Sequence, residues 1–217
     1  MDNNASLKND PRRIIVELCR RFYTLGWVSG TGGGMGIFQN GRAYVPPSGV
    51  QKERLAEEDI FVLDTSGNIL SGPESTHRVS ACAPLFLRAF RDRGTGAVIH
   101  SHGINAMLAT LISGDVFEIT HIEMIKGIAG LGYHDKLVVP IIENTANEAE
   151  LVETAAEAMQ AHPGSHAVLV RRHGVYIWGD DWVQAKIHAE CYHYLFDAAV
   201  HMHRMGLDPG RDKPIKR

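Results

Sequence analysis

Aromatic side chains make up only 7% of the 217 residues, and cysteine occurs three times, at Cys19, Cys82 and Cys191. An odd number of cysteines without metal-type spacing argues against a disulfide framework and leads us to expect a reducing, cytoplasmic setting. No apolar run approaches the roughly 20 residues that a membrane-spanning helix needs, so no membrane partner is expected. The opening Met1-Asp2-Asn3-Asn4 lacks the basic and apolar regions of a signal peptide. An excess of either charge is also missing. The net charge is −3 and the sequence pI about 6.4, which gives no footprint for nucleic acid. Basic residues are spread along the chain apart from a short tail, Lys213–Arg217, expected to fray. Nucleotide-binding signatures are absent too. There is no Walker sequence, and Gly-x-Gly-x-x-Gly is not matched anywhere in Gly30–Gly36.

What is present is the composition of a soluble globular protein, 44% hydrophobic and 22% charged, of a length that suits one domain over residues 1–217. The core is expected over about residues 10–209. Asp10-Pro11 opens a helix striped by Ile14, Leu18, Phe22 and Leu25 and stopped by Gly26. Short strands follow at Ile37–Phe38 and Ala43–Val45 around an Asn40-Gly41 turn, and at Ile60–Leu63 and Ile69–Leu70. Helices are expected at Ala83–Arg91 and Asn105–Leu111, and strands at Ala97–His102, Leu137–Ile142, Ala167–Val170 and Val175–Trp178. Asn147 and Glu150 read as a capping box for a helix ending near Ala161, and Asp181–Met205 as a long final helix. The order interleaves strands and helices without a strict βαβ rhythm, so the expected class is a single α/β domain with antiparallel content.

Twelve histidines are the outlier. His201 and His203 fall at i and i+2 on a helix, pointing to different sides, and read as solvated. His188 and His193 read as helix-surface residues. Glu190 and His193 have the Glu-x-x-His spacing of a di-iron site, but the required second copy is missing. His100-Ser101-His102 differs because it ends the strand run Ala97-Val98-Ile99, where i and i+2 share a face about 6.6 Å apart. Two imidazoles there can converge on one ion. His173, before Gly174, is the candidate third ligand, with Gly174 allowing a sharp turn. Three histidines and an open position would be the arrangement of a catalytic rather than a structural zinc site, while a His-x-His on a strand taken alone also reads as a packed polar pair.

Two loops offer backbone N–H groups to an anion: Gly30–Gly36 and Pro46-Pro47-Ser48-Gly49. Each taken alone also reads as an ordinary flexible turn. Glu123 and Lys126 set an acid and a base three residues apart, which on its own describes a surface salt bridge. Cys82 on its own reads as a small buried hydrophobe.

Taken together, these segments resemble the class II aldolase superfamily of zinc-dependent sugar-phosphate enzymes. The likeness rests on Gly30–Gly34, Pro47–Arg54, Gly96–His102, Glu123–Gly127, Val138–Thr145 and Val170–Tyr176, in that order, within a match from about Arg13 to Pro209. Within the superfamily it points to the branch that removes water from a methylthio-bearing ketopentose 1-phosphate in methionine salvage. The resemblance implies a central, mostly antiparallel β-sheet flanked by helices, and a homotetramer with active sites at subunit interfaces. It implies one zinc ion per subunit on His100, His102 and His173, with Glu123 as general acid/base and Cys82 touching substrate. Gly32, Gly33, Ser48 and Gly49 would then hold the phosphate, with Lys126 adding positive charge. Related aldolases usually carry a glutamate near the Cys82 position, so its absence favours dehydration over aldol cleavage. The alternatives are a sugar-phosphate aldolase or epimerase and, less compatible with three retained histidines, an adducin-like interaction module.

Overall fold

The computed structural model describes residues 9–74 and 77–211. The readings made on Met1–Asn4 and Lys213–Arg217 lie outside the described residues. Helix α1 (Pro11–Thr24) starts as its sequence dictates. The Asp10 carboxylate accepts the Arg12 N–H at 2.9 Å, and Pro11 occupies a position whose N–H would be orphaned anyway. Ile14, Leu18 and Phe22 are buried, but the helix ends before Leu25 can join them, and Leu25 is exposed. Gly26, at φ +74°, turns the chain out of the helix.

Strands β1 (Gly34–Gln39), β2 (Arg42–Val45), β3 (Phe61–Leu63) and β4 (Ile69–Ser71) form a meander. β1 begins inside the glycine-rich stretch that reads as irregular from sequence. Gly36 there packs under Phe86, where a side chain would collide with the ring. Helix α2 (Ala83–Arg93), strand β5 (Ala97–Ser101) and helix α3 (Ile104–Ala109) come next. The strand β6 (Val116–Thr120), rich in β-formers but not expected from sequence, pairs with β7 (Lys136–Ile142). Helix α4 (Leu151–Ala161) crosses to β8 (Ala167–Val170), and β9 (Gly174–Gly179) leads into helix α5 (Trp182–Arg204).

The nine strands form one sheet in the order β4-β3-β2-β1-β5-β9-β8-β7-β6. All its pairings are antiparallel except β7 with β8, and that parallel pair is joined by the crossover it requires, here through helix α4. This agrees with the mostly antiparallel sheet expected. Helices cover both faces. Ile14, Phe22, Ala106, Ala185 and Phe196 pack on one side with Ala97 and Ile99 of β5. Phe86, Phe90, Leu151 and Met159 pack on the other with Val98, Tyr176 and Trp178. Alternation along β5 therefore puts His100 on the α2/α4 face with Val98. No described helix is long and apolar enough to cross a membrane.

Three local readings need correcting. His188 and His193 are buried, not on the helix surface. His188 Nδ1–H donates to the Trp178 carbonyl at 2.7 Å, and its Nε2 accepts the Ala129 N–H at 3.1 Å. His193 stacks on Trp27 with ring centres 4.0 Å apart. Asn147 and Glu150 do not make a reciprocal cap. The Asn147 amide donates to the Glu150 side chain at 2.7 Å, and Glu150 itself precedes α4. Finally, Gly174 does not make the β8–β9 turn. Arg172 takes the left-handed conformation, φ +57°, and Gly174 is required because a Cβ there would collide with the Ser101 carbonyl.

Candidate metal centre

His100 is the last inward-facing residue of β5, and His102 lies just beyond the strand end. His173 arrives beside them from the β8–β9 turn. His102 Nε2 is 2.8 Å from His100 Nε2 and 3.0 Å from His173 Nε2. The ring orientations are fixed from behind. His100 Nδ1–H donates to the Val175 carbonyl at 3.2 Å, and His173 Nδ1–H to Asn144 Oδ1 at 3.0 Å. Each then presents a bare Nε2 lone pair to the common centre. The His100 ring also lies flat on Tyr176, with centres 3.9 Å apart.

Burial and the two neighbouring imidazoles push His102 down to about 3, and burial first, then His100, also lowers His173. These rings stay neutral, the form that binds a metal ion. A fourth donor joins them. Ligand atoms of His100, His102, Glu148 and His173 all lie within 4.8 Å of one another. Converging lone pairs with a carboxylate fit a divalent cation of the zinc type, and imidazole alone does not choose among zinc, nickel, manganese and iron.

The glycine loop reaches this centre. A Cβ on Gly32 would strike the His102 ring, and one on Gly33 the His100 carbonyl and Val28. Gly34 pairs across the ladder with His100, so the loop is stitched to the ligand strand. Lys52, only 2% exposed, ties this loop to the next one. Its ammonium donates to the Thr31 carbonyl at 2.9 Å and the Val50 carbonyl at 3.1 Å. Burial lowers its pKa, partly offset by the Cys19 and Cys82 thiols and by the Glu148 and Glu53 carboxylates that face it. Ser48 and Gly49 follow on the second loop, but the Ser48 N–H is committed to the Arg78 carbonyl at 2.8 Å. Ser48 thus offers its hydroxyl rather than its N–H.

Cys82 stands at the start of α2, 6% exposed, with its N–H on Ser80 Oγ at 3.2 Å. Burial, then the Glu148 carboxylate, pushes its thiol up to about 12, so it stays protonated. Glu123 and Lys126 are not brought to the histidines of their own chain. They lie on the 3-10 turn Glu123–Gly127 as an exposed ion pair, their side chains 70% and 52% accessible.

Sequence reasoning missed Glu148, Tyr176, Asn144 and Lys52. Asn144 and Tyr176 lie within the quoted motifs, but their hydrogen-bond and stacking roles depend on tertiary contacts. Glu148 carried only the ordinary signal of an acid at a helix start.

Comparison with known proteins shows the family. Residues 13–200 match the model of the class II aldolase and adducin N-terminal domain. A Mus musculus relative, named methylthioribulose-1-phosphate dehydratase, is 54% identical over 214 residues, covering 94% of this chain and 89% of its own. A Populus trichocarpa relative, named as a probable bifunctional methylthioribulose-1-phosphate dehydratase/enolase-phosphatase E1, is also 54% identical. The match takes in 92% of this chain but spans only 42% of that longer protein. Among solved structures, an L-fuculose 1-phosphate aldolase superposes with a TM-score of 0.78 at 23% identity, over 95% of this chain and 92% of its own. The chain belongs to the class II aldolase and adducin N-terminal domain family.

Proposed function

We propose that this chain is a zinc-dependent dehydratase that converts 5-methylthioribulose 1-phosphate to 2,3-diketo-5-methylthiopentyl 1-phosphate in methionine salvage, in the cytoplasm. The observation that carries it is the convergence of three imidazole lone pairs beside a glycine loop, with a protonated thiol at the start of α2. The name of the Mus musculus relative supplies the substrate.

A divalent ion on His100, His102 and His173 would supply Lewis acidity toward the oxygens of a ketose. The remaining work belongs to the chain. Gly32, Gly33, Ser48 and Gly49 seat the phosphate, so that C1–C3 face the histidines. A base takes the C3 proton, the C4–O bond breaks with protonation of the leaving hydroxyl, and the resulting enol tautomerises to the diketone. Glu123 is the carboxylate assigned to these proton transfers. Because it lies outside its own chain's cluster and is exposed, we place it in the site of a neighbouring protomer of a homotetramer, with Lys126 beside it. The Cys82 thiol, neutral and buried, suits contact with a methylthio tail.

A second reading, a sugar-phosphate aldolase or epimerase, draws on Glu148, which puts a carboxylate next to Cys82 after all. Turnover of 5-methylthioribulose 1-phosphate by metal-replete protein separates the two. Loss of water supports dehydration, and release of two shorter fragments makes the protein an aldolase.

A further inference from the structure

Glu123 and Lys126 sit on an arm whose shape is set by three successive backbone bonds. The Ile125 N–H donates to the Ile122 carbonyl at 3.0 Å, Ile128 to Ile125 at 2.9 Å and Leu131 to Ile128 at 3.1 Å. Each bond spans three residues, the tight 3-10 spacing, so the turn puts side chains three apart on one face. Ile125 and Ile128 are buried, with Ile122 and Leu131 packed on the same core. Glu123 and Lys126 share another face, which is exposed.

Two histidines grip the end of this arm at Ala129. The Ala129 N–H donates to His188 Nε2 at 3.1 Å, and its carbonyl accepts the Nε2–H of His166 at 3.2 Å. Each histidine is held in turn. His188 Nδ1–H donates to the Trp178 carbonyl at 2.7 Å, which fixes its tautomer. The His166 N–H donates to the Tyr192 hydroxyl at 3.2 Å, and its carbonyl accepts the Trp178 N–H at 3.0 Å. Burial lowers the pKa of both rings, which favours the neutral forms that these bonds require. Three residues along α5 from His188, Cys191 lies under Gly127, where a Cβ would strike its Sγ. Water could satisfy the polar groups of a half-buried loop residue. Side chains from α5 and from the approach to β8 do so here, and they also fix where the loop sits.

We propose that His188 and His166, with Cys191 beneath Gly127, are positioning residues for the reaction. They clamp the arm so that Glu123 meets the neighbouring protomer's histidine centre at a set distance and angle. This rests on the reading of Glu123 as an acid/base acting across a subunit interface. Proton transfer needs that carboxylate within hydrogen-bond reach of the reacting atoms, and a misplacement of about 1 Å can cost about 100-fold. The clamp touches neither substrate nor metal, so its loss lowers turnover and leaves substrate binding and zinc in place.

The test uses full-length, zinc-loaded protein and three variants: His188→Leu, His166→Phe and His188→Gln. Circular dichroism and light scattering check fold and assembly. His188→Leu and His166→Phe should lower kcat for 5-methylthioribulose 1-phosphate about 10–100-fold, with KM and zinc content kept. Amide hydrogen exchange over residues 122–131 should speed up at least about tenfold in both. His188→Gln, whose side-chain carbonyl can accept the Ala129 N–H, should recover most of kcat. Subunit exchange adds a readout that a general loss of stability would not move. His188→Leu mixed with His173→Ala should exceed the summed activity of the two, because intact arms then meet intact histidines. His188→Leu mixed with Glu123→Gln should gain nothing, because both defects lie on the arm. Should His188→Leu fail to fold, His166→Phe carries the same kinetic, exchange and mixing tests. Folded variants with wild-type kcat, beside an inactive Glu123→Gln, overturn the clamp and leave the reading of Glu123 standing. Loss of zinc or a raised KM in place of a lowered kcat also overturns the clamp. A fully active Glu123→Gln overturns both.

Discussion

His173 Nε2 lies 3.0 Å from His102 Nε2 across 71 residues of sequence, closing a triangle that begins on a single strand. The closure depends on Asn144, which accepts the Nδ1–H of His173 from outside the cluster. Loss of such an outer partner typically costs about 10–100-fold in metal affinity. Asn144→Ala should therefore weaken zinc by a factor in that range, and His173→Ala by more, with activity lost in step. Competition titration against a chelator measures both. A stoichiometric, tightly held metal in His173→Ala would remove that residue from the site.

Glu123 provides a different kind of prediction, because it is assigned to proton transfer and not to the metal. Glu123→Gln should keep its fold and metal while turnover falls roughly 100-fold or more. Mixing inactive Glu123→Gln with inactive His173→Ala protein, with subunit exchange, should restore part of the activity. Each hybrid interface can then pair an intact carboxylate from one protomer with intact ligands from another. Hybrid oligomers that remain inactive would return Glu123 to its own chain's site or remove it from catalysis.

His193 sets an acid limit on stability. Burial against Trp27 pushes its pKa down to about 3, while an unfolded histidine titrates near 6.5. Between these values the unfolded chain holds the extra proton, so stability is full above about pH 6.5 and falls as pH drops through that window. Its Nε2 is buried without a hydrogen-bond partner. His193→Phe keeps an aromatic ring on Trp27 and removes the titration. Its stability should fall less than the wild type between pH 6.5 and 4.5, by up to about 2–3 kcal/mol. Parallel pH dependences for the two proteins in chemical denaturation would contradict this.

Lys52 holds two loops through the carbonyls of Thr31 and Val50. Lys52→Met keeps most of the buried stem but leaves both carbonyls without their charged donor. It should cost about 2–4 kcal/mol in equilibrium unfolding. A change within about 0.5 kcal/mol would mean that water replaces the ammonium at both acceptors.

What could be read from sequence follows the range of the forces involved. The Asp10-Pro11 helix start and the meeting of His100 with His102 are local, and both agree with the structure, although His102 lies one residue past the end of β5. The edge strand β6 is not expected from sequence, although Val116–Thr120 carries the apolar-polar alternation of a strand. His188 and His193 look like surface residues until α5 is packed against Trp178 and Trp27. Gly174 suggests backbone freedom in sequence, yet its role is the close approach of β5, which no single segment reveals. Glu148 lies outside the family motifs, on the 3-10 turn Glu148–Glu150 between β7 and α4, and only tertiary folding brings it to the histidines.

The most direct test of the central claim is the mass of the product formed from 5-methylthioribulose 1-phosphate by zinc-replete protein. The account predicts a single product lighter by one water, with the carbon chain and phosphate intact, and no formation of it by His173→Ala. Dihydroxyacetone phosphate together with a methylthio aldehyde, or a sugar phosphate of unchanged mass inverted at C4, would contradict it.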